Sequence, residues 1–160
     1  MDKKKSTYCS LEEATQKLEY YCSYQDRCHK EVEEKLRALN MIPQASEQII
    51  GHLIAHNFLN EERFACSFAR GKHRIKQWGK IRIINELKFR KISKYNIDSA
   101  LKEISLEEYY TTFHQLSERH WESIKERNLN KKKKKFCDFL LRKGFESQLI
   151  YEKINDLIRE

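Results

Sequence analysis

A chain of 160 residues that is 39% hydrophobic and 35% charged, with four glycines and one proline, suits helices joined by short loops and excludes most sandwiches and barrels. Its 32 Lys and Arg against 24 Asp and Glu leave a formal charge of +8, and no run of about 18 apolar residues is present to cross a bilayer. The lysines at positions 3–5 have no apolar stretch behind them, which argues against a secretory leader, and five scattered cysteines without a CxxC pair argue against a disulfide framework or zinc knuckle. An all-α, soluble, cytoplasmic protein with reduced thiols is expected.

Three segments open alike, the sign of an internal repeat. Ser10-Leu11-Glu12-Glu13 and Ser105-Leu106-Glu107-Glu108 have the S-x-x-E form of a capping box, and Asn60-Glu61-Glu62-Arg63 holds the equivalent place between them. Helices from these caps should run to about Asp26, Gln77 and Arg127, each followed by a basic helix and a shorter apolar one. In the first unit, 10–59, Val32, Leu36 and Leu39 lie at helical spacing, Ile42-Pro43 ends that helix, and Gln48 to His56 carries Ile49, Ile50, Leu53 and Ile54. Asn57 suits the left-handed residue beyond it.

In the second unit, 60–104, Asn60 is the N-cap, and Leu59 with Phe64 is expected to form a hydrophobic staple. Phe64, Phe68, Gly71 and Ile75 fall on one stripe, with Arg63, Arg70 and Arg74 flanking it and Lys72 and Lys76 on another row. From Lys80 to Lys91, Ile83, Ile84 and Leu87 face one way and Ile81 and Phe89 the other, so one of the latter pair is expected to touch a neighbouring unit, unless Phe89 is exposed to stack on a partner. Ser93 then caps a helix with Ile97, Ala100, Leu101 and Ile104, and Ile92 and Ile97 form a staple. In the third unit, 105–160, the helix after the lysine run ends at Gly144, and Leu149, Ile150, Ile154, Leu157 and Ile158 finish the chain.

Charge is concentrated in the middle. Between Arg70 and Lys94 stand ten bases (Arg70, Lys72, Arg74, Lys76, Lys80, Arg82, Lys88, Arg90, Lys91 and Lys94) and one acid, Glu86, a local +9 against −1 for the rest. Such a patch is the footprint of a polyanion-binding surface, as against an ordinary solvated face. Arg70 and Arg74 are the favoured direct contacts, because guanidinium forks suit phosphates and carboxylates. Lys131, Lys132, Lys133, Lys134 and Lys135 form a secondary basic run, either a tether or the start of the eighth helix. Trp78 reads first as a core or inter-unit anchor and second as a base-stacking ring.

No catalytic constellation is legible: Glu61 and Glu62, like Glu12 with Glu13 and Glu107 with Glu108, are adjacent and point to different sides of a helix, where they serve its dipole. His52 and His56 at i, i+4 lack the Glu of a zinc-hydrolase motif, and Cys28-His29 has no clear partners, so neither a metal nor a cofactor is expected.

The stretch Asn57-Phe58-Leu59-Asn60-Glu61-Glu62-Arg63-Phe64-Ala65, then Gly79-x-x-Arg82-Ile83-x-x-Glu86-Leu87, and Arg142-Lys143-Gly144-Phe145 resemble the RecX family's G-[YF]-L-[ND]-[DE]-x-R-F-A, G-x-x-R-I-x-x-E-L and R-x-G-F motifs. Asn57 stands where that family usually has Gly, and Lys80 where Pro is frequent. The resemblance, over about residues 10 to 158, implies an elongated, curved tandem array of three three-helix units, about nine helices. It implies a regulator without enzymatic activity that lies along the groove of the RecA filament on single-stranded DNA, restrains it, and binds DNA weakly by itself. A monomer is expected. The other reading is an autonomous DNA- or RNA-binding helical array that does not act through RecA.

Overall fold

The structure is a computed structural model that describes residues 8–160; the lysines at positions 3–5 lie outside the described residues. Nine helices and no strand occur among those residues: α1 (Leu11–Tyr24), α2 (His29–Ala38), α3 (Pro43–Ala55), α4 (Glu61–Arg74), α5 (Lys80–Phe89), α6 (Lys94–Leu101), α7 (Leu106–Ser123), α8 (Leu129–Lys143) and α9 (Ser147–Arg159). Within each triplet the middle helix packs on both its neighbours, giving a tandem three-helix repeat. The repeat extends to the backbone. Each middle helix ends in a left-handed residue, Asn40, Lys91 or Gly144. The next N–H, of Met41, Ile92 or Phe145, donates to the carbonyl of Leu36, Leu87 or Leu140 at 3.1, 3.1 and 3.2 Å. That is the long bond of a Schellman motif, made three times with an apolar residue turned into the core.

The caps follow the sequence with two changes. Ser10 closes both halves of its capping box with Glu13. Ser105 makes only one half, accepting from the Glu108 N–H at 3.1 Å, because the Glu108 carboxylate turns away to Arg74. The third helix begins at Pro43, not near Gln48: Pro at N1 gives up an N–H that has no intrahelical partner anyway. Asn57 takes φ 60° and Asn60 accepts from the Arg63 N–H at 2.9 Å, both as expected.

Burial corrects two readings and qualifies a third. On α4 the buried row is Phe64, Ala65, Ala69 and His73, while Ile75 is 79% exposed. The row runs on to His73, which hydrogen-bonds the backbone of the loop to α5, while Ile75 sits at the C-cap in water. Leu59 and Phe64 are divided between two cores instead of forming a staple: Leu59 lies with α1–α3, and Phe64 lies in one continuous core shared by α4–α9. Ile81 and Phe89 both stay exposed, since only one face of α5 is covered. Phe89 nevertheless meets the first unit through Lys30, whose Nζ lies 3.6 Å from the ring centroid.

The first unit has its own core and is fastened to the rest by few groups. Cys28 inserts into the shared core. Arg63 donates through Nε to Asp26 at 2.7 Å, through Nη1 to Asn57 Oδ1, and through Nη2 to the carbonyls of Asn57 and Phe58. This arginine, placed on the surface by its spacing, is a latch between units.

Candidate nucleic-acid interface

The α4–α5 loop and the C-terminal end of α8 meet at two glycines. Gly79 caps α5 without a side chain, and its N–H donates to the Lys143 carbonyl at 2.7 Å; the Ile81 N–H donates to the Gly144 carbonyl at 3.0 Å, and the Lys80 N–H to Tyr109 Oη at 3.1 Å. The third unit thus satisfies donors that a Ser or Asn cap would otherwise serve. The approach is so close that a Cβ on Gly79 would fall on the Gly144 backbone, and one on Gly144 would fall on Arg82. Gly144 also has φ +95°, where only glycine is unstrained.

Beneath this seam His73, fully buried, lies 2.9 Å through Nδ1 from the Trp78 carbonyl, so that nitrogen carries the proton, and its ring stacks on Tyr109 with centroids 5.4 Å apart. Tyr109 Oη donates to Glu146 at 2.6 Å; burial, then that carboxylate, pushes the phenol pKa up. The loop is therefore held from below, and Trp78, half-buried, packs against the shared core as the anchor its sequence position suggests. The indole packs edge-on to Phe68 and carries Arg82 at 4.1 Å and Lys72 Nζ at 4.9 Å from its ring centroid.

Around the seam stand cations from two units. Arg82 donates to the Arg142 carbonyl at 3.1 Å, Lys143 Nζ to the Lys76 carbonyl at 2.9 Å, and Arg119 to Gln77 Oε1 at 3.1 Å. These bonds aim the side chains at carbonyls and an amide, which orient but do not neutralise them. Among the described residues, Lys72, Lys76, Arg82, Arg119, Arg142 and Lys143 form no salt bridge with a carboxylate. Burial first, then the charges of Arg82, Lys76 and Arg119, push the Lys143 pKa down. Charges left mutually repelling raise the local potential and favour an anion that neutralises several at once.

The remaining basic positions are distributed differently. Arg70 pairs with Glu103 at 3.1 Å, and Arg74 grips Glu108 at 2.7 and 3.4 Å, whose pKa is pushed down chiefly by that hydrogen bond. The Arg74 fork ties α4 to the start of the third unit, while Arg70 stays within the second, pairing just after α6. Lys80 lies at the seam with Nζ 4.7 Å from the Tyr109 ring centroid. Lys88, Arg90 and Lys91 lie at the far end of α5, where Arg90 pairs with Glu86 at 2.8 Å, and Lys94 pairs with Asp98 at 3.1 Å. The lysine run leads α8: Asn128 caps Lys131, Lys134 pairs with Asp138, Lys135 with Glu126, and Lys132 covers Trp121 at 4.2 Å. From Lys131 to the seam is about 18 Å along the helix, so the run is a separate patch. Arg119, Arg142 and Lys143 lie outside the basic stretch that the sequence marks; the R-x-G-F ending of α8 signals Arg142 and Lys143, and nothing in the sequence signals Arg119. Among the described residues no group of three or more His, Cys, Asp or Glu could hold a metal, and no helix is long and apolar enough to cross a membrane.

Residues 60–101 match the second three-helix domain of RecX and residues 107–154 the third. The chain is 28% identical over 140 residues to the regulatory protein RecX of Bacillus cytotoxicus, covering 88% of this chain and 52% of that one. With RecX of Lactobacillus johnsonii it is 29% identical over 119 residues, 69% and 44% of the two chains. The chain spans about half the length of these curated relatives. The crystal structure of RecX from Lactobacillus salivarius superposes with a TM-score of 0.78 at 26% identity, over 94% of this chain and 97% of that one.

Proposed function

Since the chain belongs to the RecX family of regulatory proteins, we propose that it binds the RecA filament on single-stranded DNA and restrains its activity, without chemistry of its own. The reading rests on the cation cluster at the seam between α4–α6 and α7–α9. Lys72, Lys76, Arg82, Arg119, Arg142 and Lys143 lack carboxylate partners among the described residues, and Lys80 adjoins them. Strand phosphates or acidic groups of the filament supply the neutralising charge. Arg70, Arg74 and Arg90, spent on Glu103, Glu108 and Glu86, contribute to the field more than to direct contacts. Lys88, Lys91 and the run Lys131 to Lys135 act as secondary steering charges. The protein works as a cytoplasmic monomer.

A second reading is favoured by the same cluster, because cations around an indole suit any single strand: the chain binds nucleic acid independently of RecA. A RecA ATPase assay on single-stranded DNA separates the two. Inhibition with the chain far below the DNA concentration supports filament action, and inhibition only at saturation of the DNA supports the second. The seam is tested by Lys72→Glu, Arg82→Glu and Lys143→Glu together, against a control of Arg37→Glu, Lys102→Glu and Arg159→Glu that changes net charge equally. At about 1 kcal/mol or more per contact, affinity for preformed filaments should fall at least about a hundredfold for the first and clearly less for the second. Equal losses would leave the seam no special role.

A further inference from the structure

The first unit is acidic: residues 10–59 hold five bases against eight acids, a formal net charge of −3. Three of those five bases nevertheless gather round one groove of about 460 Å³ beside α1, where Lys17, Arg27 and Lys35 stand with Tyr20, Tyr21 and Tyr24 against a single acid, Glu13. A charge distribution that runs against its own unit calls for a cause, and scattered exposed tyrosines would not supply one.

The three rings have two different tasks. Tyr21 is taken: the Arg27 guanidinium lies 3.7 Å from its centroid while Arg27 Nε donates to the Tyr21 carbonyl at 3.2 Å, and Lys35 Nζ approaches the same ring at 5.5 Å. It holds two cations at the groove's edge. Tyr20 and Tyr24, one helical turn apart and each 73% exposed, carry no cation over their faces among the described residues. Their centroids are 6.5 Å apart, about twice the 3.4 Å rise per nucleotide of a strand in a duplex, and so near the spacing of successive bases in a stretched, unstacked strand. Two aromatic faces flanked by cations, with Lys17, Tyr20 and Tyr24 on α1 and Arg27 in the turn just after it, are an arrangement that stacks bases while meeting phosphates.

We infer that the Tyr20–Tyr24 groove is a second contact for single-stranded DNA, in which two successive bases stack on the two free rings while Lys17, Arg27 and Lys35 meet the adjoining phosphates. The choice of DNA rests on the function proposed above; the stacking itself rests on the groove. Here two free rings of the first unit meet unpaired bases, whereas the seam contributes mainly charge.

The test uses the full chain and labelled 15-mers, oligo-dT and an abasic strand of equal charge, followed by anisotropy. Wild type should bind oligo-dT about tenfold more tightly than the abasic strand. Tyr20→Ala with Tyr24→Ala should abolish that preference by weakening oligo-dT alone, with the abasic affinity, the log-log salt slope and the thermal midpoint unchanged, and Tyr20→Phe with Tyr24→Phe should keep it. Equal binding of oligo-dT by wild type and the Ala pair, or equal weakening on both strands, overturns the inference. Failure of the seam reading looks different: its triple reversal would then leave affinity and salt slope as in wild type, while the effect of the tyrosines persisted.

Discussion

Gly79 is the residue on which the seam turns. Its φ of −76° is one that any residue adopts, so no conformational demand calls for glycine; the reason is the Gly144 backbone against its Cα. Gly79→Ala therefore tests the close approach alone. The added methyl must push the end of α8 away from α5, stretching the Gly79-to-Lys143 and Ile81-to-Gly144 hydrogen bonds. Overpacking of this kind costs about 1–3 kcal/mol, read as a lowered denaturation midpoint. Because Arg82 and Lys143 are positioned across the same contact, the variant should also bind single-stranded DNA more weakly. An Ala variant as stable as wild type would mean that the glycine pair is incidental.

At the scale of the element, α4 shows how a helix serves three purposes on different sides. Phe64, Ala65, Ala69 and His73 enter the shared core; Arg74 reaches the third unit and Arg70 the end of the second; Arg63 latches the first. Three substitutions on this helix should consequently rank in a definite order. Phe64→Ala removes a buried ring and should cost about 3–5 kcal/mol. Arg63→Ala breaks charge-assisted bonds that are partly solvent-screened and should cost about 1–2 kcal/mol. Ile75→Ala, although the stripe 64, 68, 71, 75 would make it a core truncation, should stay within about 0.5 kcal/mol because the side chain is in water. Urea titration of the three variants checks the order, and an Ile75→Ala loss matching that of Phe64→Ala would put the buried row back where spacing alone sets it.

For the whole molecule, the distribution of cores sets how it comes apart. α4–α9 share one apolar core, whereas α1–α3 close their own, joined through Cys28, the Arg63 latch, Lys30 on Phe89, and His29 beside Glu61 at 3.0 Å. A fragment of residues 60–160 should therefore stay helical and unfold cooperatively, losing only the stability supplied by those contacts. A fragment of residues 105–160 should not, since its core residues Tyr109, Phe113 and Phe145 would be stripped of Ile83, Leu87 and Ala69, and a unit of that size is marginal alone. Circular dichroism and thermal melts of both fragments decide it; a folded 105–160 fragment would show that the shared core is only a contact between self-sufficient units.

Caps, periodicity and charge were readable before any coordinates because they are local: Ser10, Asn60 and Ser105 act on N–H groups three residues away, Asn57 and Gly144 on their own backbone angles, and a run of ten bases adds up whatever its fold. The number of helices and their grouping follow from such signals, as did the motifs shared with RecX. What each side chain faces is not local. Whether Ile75 is in water, whether Arg63 is a latch, whether Glu108 closes a cap or grips Arg74, and which cations keep no carboxylate beside them depend on elements up to tens of residues away in the chain. Arg119, Arg142 and Lys143 join Lys72, Lys76 and Arg82 only because two glycines allow α8 to end against the start of α5. Spacing along a helix tells which residues share a face; only the packing of one helix against another decides which face is covered.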